Sequence, residues 1–240
     1  MKSIFIIAVS SLLLFSSCHE IFAKRIRGNG NIITQDRSTG QFNNINVSGN
    51  IDVYAKQDSA AFVKVETDEN LLQYVEIIDD GEVLRIHTKR GFYLKPSQHI
   101  KVYVSSPSFK RFEASGACSI FSENQITSAD PISIDISGAC GVSLDLNAPK
   151  INVDASGASS IKLKGQVKDF KVGGSGSTDI KCMDLQAENV ILDISGAGDA
   201  EVYANAKLNV DVSGAADVRY KGNAAVTEHK SGAGSIKKVE

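Results

Sequence analysis

The chain has 240 residues, enough for one sizeable hydrophobic core or two small ones, and it carries 26 Lys and Arg against 28 Asp and Glu, a net charge of −2. That balance points away from a nucleic-acid partner. With no Trp, 4 Pro and 20 Gly, the composition suits a turn-rich β protein.

The chain opens on a targeting segment. Lys2 precedes an apolar run from Ile4 to Phe15 that ends in Ser16-Ser17-Cys18. A short basic start, an apolar core and small residues before a cut are the parts of a secretory signal. The run is too short for a comfortable membrane span. Leu14-Phe15-Ser16-Ser17-Cys18 resembles a bacterial lipobox, which implies a signal peptide over 1–17 and an acylated Cys18 as the mature N-terminus. Several acyl chains would anchor the protein stably to a membrane. His19 stands where an Asp would retain such proteins at an inner membrane, so the resemblance implies the outer membrane. The alternative is ordinary cleavage after Ala23. Residues 18–27 read as a linker, whose Lys24, Arg25 and Arg27 either lie near anionic head groups or are simply solvated.

Gly28-Asn29-Gly30-Asn31 opens the folded region, and residues 28–110 read as β-rich but irregular. Residues 42–54 carry a strand pair around Ser48-Gly49, and residues 61–67 alternate as a strand. Asp68-Glu69-Asn70 offers a cap for a short helical turn through Tyr74. Asp79-Asp80-Gly81 joins residues 75–78 to 83–88 as a hairpin, and residues 100–104 alternate again. This half is expected to cap one end of a more regular C-terminal half and to cover an edge that would otherwise invite aggregation.

From residue 111 to 239 one tripeptide recurs. Ser-Gly-Ala or a near variant starts at Ser115, Ser137, Ser156, Ser175, Ser195, Ser213 and Ser231, with Ser48-Gly49 as an early relative. The starts lie roughly 18 to 22 residues apart, a period that signals a stacked array. Three residues before each Ser stand Phe112, Ile134, Val153, Val172, Leu192 and Val210. One residue before it stand Ala114, Ile136, Ala155, Gly174, Ile194 and Val212, and between these columns runs a mostly acidic one. This is the period-2 alternation of a strand with one buried face. Five residues after the Ser, a column of Ile, Val and Ala resumes the pattern. Each repeat therefore reads as strand, Ser-Gly-Ala bend, strand and a second turn, such as Asn147-Ala148-Pro149 or Lys221-Gly222-Asn223. Equivalent strands stacked in parallel give an all-β fold, a parallel β-helix or β-solenoid. A Greek-key sandwich also has short, regularly spaced strands, but it does not need the same tripeptide at the same corner.

Gly28-Asn29-Gly30-Asn31, the stretch from Phe42 to Val53 and Asp68-Glu69-Asn70-Leu71-Leu72 resemble the start of the bacterial "putative auto-transporter adhesin, head GIN domain" family, and so do the Ser-Gly-Ala rungs after them. The similarity covers about residues 28–238. It implies a secreted or lipid-anchored β-helical domain, and it supplies no catalytic residues to carry over.

The candidate sites are few. Asp135, Asp154, Asp193 and Asp211 form one outward acidic column, and Asp179, Asp199 and Asp217 form another. Stacked carboxylates repel, and calcium would relieve this. However, the nonapeptide calcium pattern is missing, and Lys162, Lys181 and Arg219 run alongside, so the columns read either as a solvated face or as a ligand or ion surface. Cys118 and Cys140 share one slot on consecutive rungs, within disulfide reach if stacked. Ser159 and Thr178 continue that slot, so small-residue packing explains it equally. Cys182 sits in an apolar column as a buried thiol. The four His are scattered, and Ser-Gly-Ala is not a nucleophile elbow.

Three functional classes stay open: an envelope protein whose rigid face binds a glycan, a protein or another copy of itself; a structural or assembly component; and a polysaccharide-active enzyme. The third needs a cleft with paired carboxylates, and the rungs lack the long loops that build one. The reading is therefore a non-enzymatic binding module with no cofactor.

Overall fold

The computed structural model describes residues 23–240. The expected signal peptide and the acylation of Cys18 lie outside the described residues. No helix among the described residues is long and apolar enough to cross a membrane.

The strands run in chain order as β1 Lys24–Arg27, β2 Ile32–Arg37, β3 Asn44–Gly49, β4 Ile51–Gln57, β5 Phe62–Asp68, β6 Val75–Asp80, β7 Val83–Thr88, β8 Phe92–Lys95, β9 Ile100–Ser106 and β10 Arg111–Gly116. They continue as β11 Ser119–Ser122, β12 Ile126–Thr127, β13 Ile132–Gly138, β14 Gly141–Gly157, β15 Ser160–Gly176, β16 Asp179–Gly196, β17 Asp199–Gly214, β18 Asp217–Lys221, β19 Ala225–Gly232 and β20 Ile236–Lys238. A 3-10 helix, Glu69–Tyr74, is inserted after β5.

The fold is the expected β-solenoid. Parallel pairing stacks Gly49, Gly116, Gly138, Gly157, Gly176, Gly196, Gly214 and Gly232 in one continuous register. At each corner the residue after the Gly donates its N–H to the Gly carbonyl of the preceding rung. Examples are Ala158 to Gly138 at 2.9 Å and Ser177 to Gly157 at 2.8 Å. The inward columns supply the core, which runs the length of the stack from Ile45 and Val53 to Val210 and Val218. Removing each such side chain from water stabilises the fold by about 1.5–3 kcal/mol before entropy is counted.

Three details differ from the sequence reading. The regular stack does not begin at residue 111. β3 and β4 already form a rung in register with β10 and β11, because Ser48-Gly49 is the same corner. β7 and β9 then stack in parallel on the other edge of β3 and β4, so the outermost rung comes from chain that lies after β4 in sequence. β5 lies antiparallel to both β9 and β2 and turns the end over. The second turn at Asn147-Ala148-Pro149 breaks the pairing toward the preceding rung, between Asn147 and Ile151, but hardly interrupts the ladder toward β15. Pairing skips only Pro149, which has no N–H to give. Lys221-Gly222-Asn223 does break it, between β18 and β19. Finally, Lys24–Arg27 is not linker. It forms β1, paired in parallel with β8, because Ile26 packs on the core.

Candidate functional site

The motifs that open the resemblance meet in a clasp. Asp68 does not cap the helix after it. Its buried carboxylate accepts from Gly30 N at 2.7 Å, Ser97 N at 2.8 Å and Ser97 Oγ at 2.7 Å. Asn70 Oδ1 accepts from Asn29 N at 2.9 Å, and Asn31 Nδ2 donates to Glu69 Oε2 at 3.0 Å. Burial alone would raise the Asp68 pKa, but the donors from Ser97 and Gly30 outweigh it and hold the carboxyl below its usual range. Gly-Asn-Gly-Asn and Asp-Glu-Asn are therefore structural, tying the capped end together.

The two acidic columns differ once their neighbours are in place. In the second, Asp179 pairs with Lys181 at 2.6 Å, and Asp217 Oδ1 accepts from Ser235 N at 2.8 Å and Ser235 Oγ at 2.7 Å. These bonds from Ser235 hold the Asp217 carboxyl low. Arg219 and Glu201, stacked beside them, pair at 3.0 Å. Two of the three carboxylates in that column are thus engaged by their own neighbours.

The first column differs. Its register runs Asn46, Glu113, Asp135, Asp154, Gly173, Asp193, Asp211 and His229. Arg111 Nε lies 3.5 Å from Glu113 Oε1 and 3.0 Å from Asp135 Oδ2. It is not aimed as a hydrogen bond at the latter, and Asp135 Oδ2 is buried without a hydrogen-bond partner. Burial pushes the Asp135 carboxyl up; Arg111 opposes this, while Asp154 and Glu113 add to it.

Beside this column the Ser hydroxyls of the repeated corner form a second row. Between the rows lies a trough of about 560 Å³ that spans the rungs from Asn46 to Asp193. One wall is Asn46, Glu113, Asp135, Asp154 and Asp193, the other is Ser115, Ser137, Ser156, Ser175 and Ser195, and Val47, Ala114, Ile136, Ala155 and Gly174 lie between them. Five rung intervals at strand spacing make it roughly 24 Å long. At Gly173-Gly174 both the carboxylate and the floor side chain are missing. The sequence flagged the acidic row but not the hydroxyl row, whose regularity read only as a corner.

Other features are less open. Tyr54 stacks with Tyr103 and with Phe121, each at 5.1 Å and 23°, so the rings turn their faces to one another and their edges outward. Tyr220 packs on the core, away from Tyr54. Tyr203 lines a separate polar hollow with Gln166 and Gln186.

The thiols of Cys118 and Cys140 are buried and unbonded in this structure. Each donates to the carbonyl three residues back, Ser115 and Ser137, at 3.3 Å. Ser159 makes the same bond to Ser156 at 2.9 Å, and Thr178 to Ser175 at 3.4 Å. The slot is a corner-bracing donor column. Burial pushes the Cys118 thiol up to about 11 and the Cys182 thiol up to about 12. Among the described residues no group of three or more His, Cys, Asp or Glu is placed to hold a metal ion.

A β-solenoid capped at one end, with a trough running along its rungs, defines a repeat protein that presents a long rigid face. The chain belongs to the family described as "Putative auto-transporter adhesin, head GIN domain", which matches residues 41–224. The fold is similar to that of a "putative adhesin" from Bacteroides fragilis, with 22% identity, 89% of this chain and 100% of that one covered, and a TM-score of 0.82. It is also similar to a "putative adhesin" from Parabacteroides distasonis, with 26% identity, 90% and 100% coverage and a TM-score of 0.72. A "putative lipid binding protein" from the same organism shares 26% identity over 90% and 100% of the two chains, with a TM-score of 0.69. No curated protein matches the chain.

Proposed function

We propose that the protein is an exported, lipid-anchored and non-enzymatic binding module of the cell envelope. Its ligand surface is the trough between the Asp and Ser rows. The observation that carries this reading is the register of the trough: over six stacked rungs it lines up four carboxylates and five Ser hydroxyls in one straight row each, above an apolar floor, with a single gap at Gly173-Gly174. Such a surface favours an extended, polyhydroxylated chain. Carboxylates accept from its hydroxyls, the Ser row gives and accepts, and the apolar floor meets its C–H faces. Each rung advances about 4.8 Å, close to the rise of one sugar ring in an extended glycan. The family description and the adhesin labels of two similar structures support an envelope role for this chain. The lipobox supports the anchor, and the lack of long loops between rungs argues against an enzyme cleft.

The test is binding of the soluble chain to arrayed glycans, with wild type set against Asp135→Ala/Asp154→Ala. A ligand that the wild type captures and the double variant loses by ten-fold or more locates the surface in the trough. Equal capture by both would move binding elsewhere. Acyl labelling of wild type and Cys18→Ala, followed by protease shaving of intact cells, tests the anchor and the face of the membrane it occupies.

A further inference from the structure

Away from the trough, a cluster of exposed cations gathers at the capped end of the described residues. β1 and β8 pair from Lys24↔Phe92 to Arg27↔Lys95. Strand alternation turns Ile26 and Leu94 to the core and leaves Arg25, Arg27, Tyr93 and Lys95 on the outer face. Lys24 is exposed at the start of β1, and Lys89 and Arg90 are exposed just before β8. Among the described residues Tyr93 is the most exposed large apolar side chain, at 58%, and the Arg25 guanidinium lies 5.4 Å from its ring centroid.

Among the described residues none of these six cations enters an ion pair, although Lys and Arg elsewhere on the protein repeatedly do. The acids of the same end are engaged: Asp68 is buried in the clasp, Glu69 accepts from Asn31, and Glu76 lies 3.5 Å from His87. Arg25, Arg27 and Lys95 on this face, with Lys24, Lys89 and Arg90 at its margins, on a chain of net charge −2, make it complementary to an anionic partner. Its form narrows the class. Two extended strands side by side make a flat face, and a Tyr among Lys and Arg suits the head-group level of a bilayer.

We propose that the outer face of β1 and β8 docks on an anionic lipid surface. Lys and Arg engage the lipid phosphates while Tyr93 settles among the head groups. β1 opens directly after the leader, with Cys18 six residues before Lys24 in sequence, so the docking face stands where the chain leaves its expected anchor. The docking does not depend on acylation, and it would hold the solenoid against the membrane instead of letting it swing on a tether.

A chain beginning at residue 19 keeps every strand, since these lie between Lys24 and Lys238, and it carries no acyl group. Its flotation is measured with vesicles of phosphatidylglycerol in phosphatidylcholine and of phosphatidylcholine alone, at low and raised salt. Flotation is expected only with the anionic vesicles, and it should weaken as salt rises. A cation near an anionic surface is worth about five-fold in affinity. Arg25→Glu/Arg27→Glu and, separately, Lys89→Glu/Arg90→Glu should each cost at least about twenty-five-fold. Lys162→Glu/Lys181→Glu, on the rungs, should not change it. The second patch variant lies outside both strands, so a folding defect in the first cannot mimic the result. Equal flotation with neutral vesicles, an equal loss in the rung variant, or tighter binding of an acidic peptide or an oligonucleotide than of anionic vesicles would overturn the proposal.

Discussion

Gly157 meets two constraints at once. Its φ is +84°, and a Cβ placed on it would stand 2.6 Å from the Gly138 carbonyl oxygen of the preceding rung. Gly30 shares the first constraint, with φ +82°, but has nothing within 4 Å of the same point. Left-handed strain alone costs about 1–2 kcal/mol. Gly30→Ala should therefore lower stability by about that much, and Gly157→Ala by clearly more, as read from urea midpoints. Equal losses would mean that backbone conformation, not close stacking, selects Gly at the corner. The buried thiols depend on the same corners. Pushed up by burial, Cys118 and Cys182 should resist iodoacetamide in the native state, and three thiols should react from residue 23 onward after unfolding without reductant. Two fewer labels would reveal a Cys118–Cys140 disulfide. Cys118→Ser finds the Ser115 carbonyl and should change little, whereas Cys182, which donates to no carbonyl among the described residues, should lose about 1–3 kcal/mol on conversion to Ser. Asp68 sets a pH dependence. Its folded pKa is depressed, so its contribution is complete above the unfolded value of 3.8 and is lost as pH falls through the lower folded value. Wild type should lose stability on acidification through this range. Asp68→Asn should be weaker at neutral pH and flatter below pH 4.

At the scale of the element, the last rung behaves unlike the others. β19 pairs with β17 in register, but Val210 stacks on Glu228 and Val212 on Lys230, and Tyr220 stacks on Lys238. Columns that are apolar along the preceding rungs turn charged at the open end, and β19 is exposed throughout. Inward-pointing charge is a known way to keep a strand edge from recruiting another. Replacing Glu228 and Lys230 by Val should make the purified chain self-associate, seen as high-mass species in size-exclusion chromatography. A variant that elutes as wild type would show that the charges do not guard this edge. The element scale also marks what the sequence discloses. Phe112, Ile134 and Val153 repeat at one offset from a fixed tripeptide, so their stacking could be read directly, and so could the β6–β7 hairpin around Gly81. β1 could not be read, because its partner Phe92–Lys95 lies far along the chain and four residues show no period. Nor could the true role of Asp68, since Gly30 and Ser97 reach it only through the fold. The two acidic columns looked equivalent until Lys181 and Ser235 were seen to engage Asp179 and Asp217 of one of them, leaving the other to line the trough.

For the whole molecule, the stack makes stability nearly additive along one axis, since each rung meets only its neighbours. The capped end is the exception. There β2, β5 and β9 lie antiparallel, and the Asp68 clasp joins segments from Gly30 to Ser97. Deleting residues 158–176 removes one whole rung and joins Gly157 to Ser177, which occupy successive positions of the same repeat. The Ser177 N–H, which donates to Gly157 O at 2.8 Å, would then meet the Gly138 carbonyl instead. The shortened chain should fold cooperatively, with a somewhat lower urea midpoint and a smaller m-value, because less surface is exposed on unfolding. Its trough should lose one rung together with the Gly173-Gly174 gap. Deleting Gly28–Asn31, although far shorter, should cost more, because it removes the Gly30 donor to the buried Asp68 carboxylate and the Asn29 and Asn31 contacts to Asn70 and Glu69, and opens the end that closes the core. If the rung deletion unfolds the chain while the four-residue deletion is tolerated, stability does not run along the stack in this way.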